Sequence, residues 1–191
     1  TVNYARYSLP PVLKQYMTDY PKVDVRVTAD QSRTLFKKLS DGELSLAIVR
    51  GNFKWDGESM LLSEEPVCAV IGKENREIPL KDLPFISRRS DRETEEQIAK
   101  WMQEQNLGSS RYSLQVNDIS TCLAMVEAGI GWAVLPEICL RDFGGVVRPL
   151  AFADGSVFTR ATRVLYRSEY ADLPQFRLFL DAVRNGTADR T

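Results

Sequence analysis

VNDISTCLAMVEAGIGWAVLPE, residues 116–137, reads as a short helix ending at a glycine, a tight turn, and a short buried strand closed by Pro136. Ile119, Leu123, Met125, Val126 and Ile130 recur at roughly helical spacing. Gly129 and Gly131 break the helix where a left-handed C-terminal cap would sit. Trp132–Leu135 is an unbroken apolar run, too short for a helix and bounded by turn formers, so it predicts a buried strand. This pattern belongs to α/β packing in general.

The N-terminal quarter sharpens it. A helix starting near Tyr4 closes at Tyr20-Pro21, because proline restricts the residue before it to extended geometry. Val23, Val25 and Val27 alternate with Asp24 and Arg26, which predicts a strand over Val23–Thr28. A second helix over Ser32–Ser40 is followed by Asp41-Gly42 and a buried strand near Leu44–Val49. Strand, helix, strand at this spacing predicts a βαβ unit and a parallel sheet.

Four motifs stand in register along the chain: Tyr7-Ser8-Leu9-Pro10, Tyr20-Pro21-Lys22-Val23, Asp41 to Ile48, and Val126 to Pro136. In order and interval they resemble Y-x-L-P, Y-P-x-V, D-G-x-L-D-x-A-I and V-x-x-G-x-G-x-x-x-L-P of the effector-binding domain of LysR-type transcriptional regulators. The resemblance runs from Thr1 to about Val183. Ser45 departs from it, standing where the family usually has Asp, which alters a local polar contact and leaves the fold intact. The fold implied is α/β, two Rossmann-like lobes joined by two crossover strands, of the type 2 periplasmic-binding-protein kind. Residues 1–66 and 164–191 would form lobe I and residues 67–163 lobe II. The family also implies a strand before the first helix and an upstream helix-turn-helix DNA-binding domain, neither contained in these residues.

Composition agrees with a soluble domain. The chain has 191 residues, 43% hydrophobic and 27% charged, with a net charge of −1, enough to bury a sizeable core. It lacks the basic excess of a module that wraps nucleic acid by itself. No apolar run approaches a membrane span, and no signal peptide opens the chain. There is no histidine, and the three cysteines, Cys68, Cys122 and Cys139, form no C-x-x-C pair. They predict buried thiols, with no metal site and no cofactor.

Further elements follow from the same signals: a crossover strand Val67–Gly72, an extended Leu83–Ser87, and a charged helix Arg92–Gln105 capped by Ser90 or Asp91 and followed by Gly108. Beyond them come a strand Tyr112–Val116, a return strand Arg160–Tyr166 and a final helix Pro174–Arg184.

Enzyme signatures are missing. Nucleophilic triads need a base, and there is no phosphate loop; Gly129-x-Gly131 stops short of a dinucleotide fingerprint. Glu93, Glu95 and Glu96 fit the solvated first turn of a helix. The chain is therefore expected not to be an enzyme.

Ligand binding has better support. In open α/β sheets, ligands sit beyond the carboxyl ends of strands, where helix N-termini present N–H groups. Those ends carry Thr1–Asn3, Asp30–Ser32, Arg50-Gly51, Ser87–Arg89 and Asn117–Ser120. Arg50 follows an apolar strand and could hold a carboxylate or sulphate bidentately; a salt bridge to a neighbouring carboxylate is the alternative. The resemblance adds Thr1, Asn3, Gln31 and Ser32, which match effector-touching loop positions in the family, and places an effector-holding arginine at Arg50. The expected effector-binding set is Thr1, Asn3, Gln31, Ser32 and Arg50 with Ser87, Arg88, Asn117 and Ser120. Thr1–Pro10 is most similar to family members that respond to sulphur metabolites, but Tyr4 stands where that subset has Gln. A sulphur metabolite, sulphate and a small organic acid all remain open.

The function implied is a cytoplasmic ligand-sensing domain that binds a small, anionic effector between two lobes and so modulates DNA binding and transcription. A stand-alone solute-binding protein of a transport system is the alternative. The family implies a homodimer, tetrameric in the full-length protein, with DNA contacted only through the absent N-terminal domain and no membrane partner. Val12, Leu13, Tyr16 and Tyr20 are candidates for the dimer contact, although a core-facing stripe explains them as well.

Overall fold

The Thr1 hydroxyl accepts a hydrogen bond from the Tyr4 N–H, starting helix α1, Val2–Tyr7. The computed structural model describes residues 1–107 and 113–188. Helix α2, Leu9–Asp19, follows after a break at Ser8. One continuous helix was expected. Pro10 and Pro11 explain the break: inside a helix their rings would strike the carbonyls four residues back, whereas in a first turn their missing N–H groups cost nothing.

The chain forms two compact units, Thr1–Glu64 with Arg160–Thr191, and Glu65–Thr159. The sequence placed these divisions at 66/67 and 163/164. In the first unit, α3 (Ser32–Ser40) leads into strand β1, Leu46–Arg50. Strand β2, Glu58–Ile71, carries the chain into the second unit. It starts nine residues before the expected Val67, because its exposed first half lacks the apolar run that marks the second half.

In the second unit come β3 (Phe85–Arg88), α4 (Arg92–Glu104), β4 (Ser113–Val116), α5 (Ile119–Glu127) and β5 (Trp132–Pro136). A strand not read from the sequence, β6 (Val146–Pro149), follows. Strand β7, Thr159–Tyr166, returns the chain to the first unit, which α6, Pro174–Ala188, completes. Tyr112 and Gly108, named from the sequence, lie outside the described residues.

The first unit also departs from expectation in its strand pairing. Val23–Thr28 forms no strand, and Val27 is 50% exposed. Strand β1 instead pairs antiparallel with β7, Ile48 opposite Val164. Alternation specifies a strand only where a neighbouring edge supplies hydrogen bonds. Here the Ile48 carbonyl accepts from the Thr1 nitrogen, and the Arg50 N–H donates to the Ser32 hydroxyl. The parallel βαβ pairing expected for this unit is not formed among the described residues. Side chains still sort by strand parity. Ile48 and Val164 pack with Tyr4, Leu9, Val12, Phe176 and Val183, while Ala47 and Val49 pack with Leu35 and Leu39 of α3.

The second unit does build a parallel core. Strand β3 pairs parallel with both β4 and β5, and β2 pairs antiparallel with β5 and with β6. Alternate residues of β2 and β5 serve opposite faces. Val67, Ala69, Ile71 and Trp132 pack with Trp101 of α4, and Cys68, Val70, Ala133 and Leu135 pack with Cys122 and Val126 of α5. The turn between α5 and β5 follows the reading above. Gly129 has φ 73° and donates to the Val126 carbonyl, and the Ile130 N–H reaches back to Met125. A Cβ on Gly131 would lie 2.2 Å from the Pro84 carbonyl oxygen, so only glycine lets β5 start against the end of the β3 loop.

Candidate functional site

The first unit gathers one set of the expected residues at the carboxyl end of β1. The Ser32 hydroxyl accepts from the Arg50 N–H at 3.0 Å, joining the first residue of α3 to the last of β1. Gln31, the N-cap of α3, makes no side-chain cap bond, and the first turn carries no acid. The first N–H groups of a helix lack intrahelical partners and bear its positive end. Asp30 accepts from the Gln31 N–H at 2.7 Å, one position outside the helix. The Thr1 nitrogen donates to the Ile48 carbonyl at 2.6 Å. Asn3 lies half-buried in α1.

Two residues near this end were not named as site residues. Arg160 is only 7% exposed, and a Cβ on Gly51 (φ 100°) would lie 2.7 Å from its Nη2. The signal available for it was Gly51 itself, since a glycine after the strand leaves room for a guanidinium. Tyr4 is the other. It is buried in the core with Leu9, Val12 and Phe176, so its identity is tied to packing.

The second unit holds the remaining set at the ends of β3 and β4, where Arg88 stands opposite Val116 in parallel register. The Ser87 hydroxyl donates to the Leu114 carbonyl at 3.3 Å and so is engaged within the sheet. Arg88 Nη1 donates to the Arg89 carbonyl at 3.1 Å. Asn117 and Ser120 are exposed on either side of the α5 N-cap, Asp118. Sequence reading named both neighbours and passed over Asp118. Its two oxygens accept from the Thr121 N–H at 2.9 Å and the Thr121 hydroxyl at 2.6 Å. Asp91 caps α4 in the same way on Thr94. Burial pushes the neighbouring Cys122 thiol up to about 11; Arg88 pulls against that shift and Asp118 adds to it.

A groove of about 450 Å³ lies elsewhere in the first unit, between α2 and α6, with Asp19 and Asp181 among its lining residues. Its acids do not suit an anion. Of the residues considered for a dimer contact, Val12 and Tyr16 belong to the core; Tyr16 is 2% exposed and its hydroxyl donates to the Gln175 carbonyl. Among the described residues there is no cluster of metal-ligating side chains, and no helix is long and apolar enough to cross a membrane.

The sequence profile of the LysR substrate binding domain matches residues 1–188. The chain belongs to that family. Among curated relatives, an uncharacterised HTH-type transcriptional regulator of Bacillus subtilis, YraN, is 28% identical over 95% of this LysR-type domain and 63% of its own length. The activator IlvY of Salmonella typhimurium is 24% identical over 75% of the domain and 52% of its own length. The domain thus spans about half to two-thirds of these relatives. Among solved structures, a reduced form of OxyR from N. meningitidis superposes with a TM-score of 0.72 at 20% identity, covering 97% of the domain and 92% of that chain. The regulatory domain of OxyR2 from Vibrio vulnificus, as an E204G mutant with sulfate bound, gives 0.68 at 18% identity, covering 98% and 92%. These likenesses fix the fold as the mixed α/β arrangement of LysR-type regulatory domains, of the type 2 periplasmic-binding-protein kind. The LysR-type domain is an effector-binding domain, and ligand sensing is general for its family.

Proposed function

We propose that this LysR-type domain senses a small anion held by Arg50 and the N-terminal turn of α3, and that the full regulator converts this binding into altered transcription. One observation carries the reading. A half-buried arginine ends β1, its backbone is tied to Ser32, and the helix that Ser32 opens has no carboxylate in its first turn. A guanidinium beside an uncapped helix N-terminus is a donor set for a carboxylate or a sulphate. Gln31, Asn3 and Thr1 complete it in the first unit. The YraN and IlvY relatives are HTH-type regulators, which supports an oligomer acting on DNA through a domain outside these residues. An effector shifts such an assembly only if it binds two arrangements with different affinity.

The test is a thermal-shift screen of small anions, since a ligand at 100 times its dissociation constant stabilises by about 2.7 kcal/mol. Arg50→Ala should remove ligand-induced stabilisation and leave the unliganded melting temperature nearly unchanged. A charge-assisted bond contributes roughly 1.5–3 kcal/mol, so affinity should fall about tenfold to a hundredfold. If the variant melts several degrees earlier and still binds normally, Arg50 is a structural ion-pair partner and the proposal fails.

A further inference from the structure

We infer that the effector is an aromatic carboxylate, its carboxylate held at Arg50 and its ring set against the stacked rings of Phe36 and Phe53. The inference deepens the reading above and rests on it, since it takes Arg50 and the first turn of α3 as the anion site. Every residue it uses belongs to the first unit.

Ser32 and Phe36 stand four residues apart in α3, so they share one face of the helix. Side chains at that spacing have their Cβ atoms about 5–6 Å apart. Ser32 is bonded to the Arg50 N–H, so Phe36 lies one turn along the helix from the anion site. The chain returns to the same place from the other side. Gly51, with φ 100°, turns it directly after Arg50, and Phe53 then stacks on Phe36 with ring centroids 4.8 Å apart and planes 29° apart. Trp55 meets Phe36 edge-on at 6.1 Å, and its indole N–H donates to the Tyr166 carbonyl at 3.0 Å. The loop after Arg50 is thus fastened to β7, and the stack is held in place.

Packing alone does not account for three aromatic side chains here. Leu35, Leu39, Ala47, Val49 and Leu165 already close the core on this side of β1, and Phe36, Phe53 and Trp55 lie half-buried at its margin. Apolar rings beside a cation and a helix N-terminus match the make-up of small-molecule sites, which are mostly apolar with a few polar groups that fix orientation. An aromatic ring stacks on such a surface with favourable offset geometry. Sulphate has no apolar part to cover it, and acetate is too short to reach it from Arg50.

The experiment titrates the purified chain at pH 7.5 and fixed ionic strength with acetate, benzoate, phenylacetate, 3-phenylpropanoate and inorganic sulphate. The aryl acids differ in the reach from carboxylate to ring. Wild type should bind at least one of them roughly tenfold tighter than acetate or sulphate. Phe53→Leu and Phe36→Leu keep apolar bulk and remove a ring; each should cut that advantage about threefold to tenfold and leave acetate and sulphate binding unchanged. The two variants are read together, so a folding defect in one does not decide the outcome. Acetate or sulphate binding as tight as that of every aryl acid, or an unchanged advantage in the folded variants, overturns the inference and leaves an Arg50-dependent anion site standing. If none of the five anions binds wild type, or Arg50→Ala binds them as wild type does, the proposed function fails and this inference falls with it.

Discussion

The backbone N–H of Arg50 donates to the Ser32 hydroxyl across 18 residues of sequence, so the residue ending β1 is aligned by the residue opening α3. The bond fixes the Arg50 backbone against the start of α3.

Ser32→Ala removes that acceptor and leaves the N–H to find another partner. The expected cost is about 1 kcal/mol, read as a melting temperature lower by about 2–4 °C for a chain of this size. Anion affinity should fall with it, while Arg50→Ala lowers affinity alone. Melting curves of the two variants with and without a binding anion separate the effects; an unchanged Ser32→Ala curve means the alignment comes from elsewhere.

The thiols should be inert in the folded chain. Cys68, Cys122 and Cys139 are free and buried. Burial, aided by Glu137 at Cys68, pushes Cys68 up to about 11, as Cys122 is pushed. Reactivity belongs to the thiolate, so iodoacetamide at pH 8 should label none of the three until the chain is unfolded. The folded values lie above the ordinary thiol value, so folding favours the protonated form. That stability is fully present below about pH 9 and is lost as pH rises toward 11. Rapid labelling of native protein, or a denaturation midpoint that rises between pH 9 and 11, would contradict the burial described here.

Gly131→Ala places a methyl group 2.2 Å from the Pro84 carbonyl oxygen, which also accepts the Trp132 N–H at 3.0 Å. Backbone stands on both sides of the clash, so the junction of β5 with the β3 loop must open. A loss of about 3 kcal/mol or more is expected, visible as a lower urea midpoint and weaker near-ultraviolet circular dichroism from the buried Trp132. A variant of wild-type stability would mean that β5 shifts at little cost.

The turn from α5 through Gly129 and Gly131 into β5 could be read from sequence because each step depends on neighbours within a few residues. The long β2 and the edge strand β6 were partly or wholly missed, since their exposed residues are specified by partners distant in sequence. Val23–Thr28 failed for the opposite reason: its alternation is clean, but it pairs with no strand edge among the described residues. Within the candidate site, Arg50 and Ser32 were legible as polar residues after an apolar strand and before a helix. Arg160 was not, being distant in sequence from the Gly51 it covers. Asp118 was passed over because its role is to cap its own helix.

The first unit is assembled from both ends of the chain, and β2 and β7 pass between units inside unbroken strands. During synthesis, then, β1 emerges long before β7, its only ladder partner among the described residues. The second unit, being continuous in sequence, can close first. Until residues 160–188 appear, Ile48 and the apolar faces of α1 and α2 have no Val164, Phe176 or Val183 to cover them. Late truncations should therefore damage the α1–β1 segment of the first unit, exposing sticky surface far in sequence from the lesion.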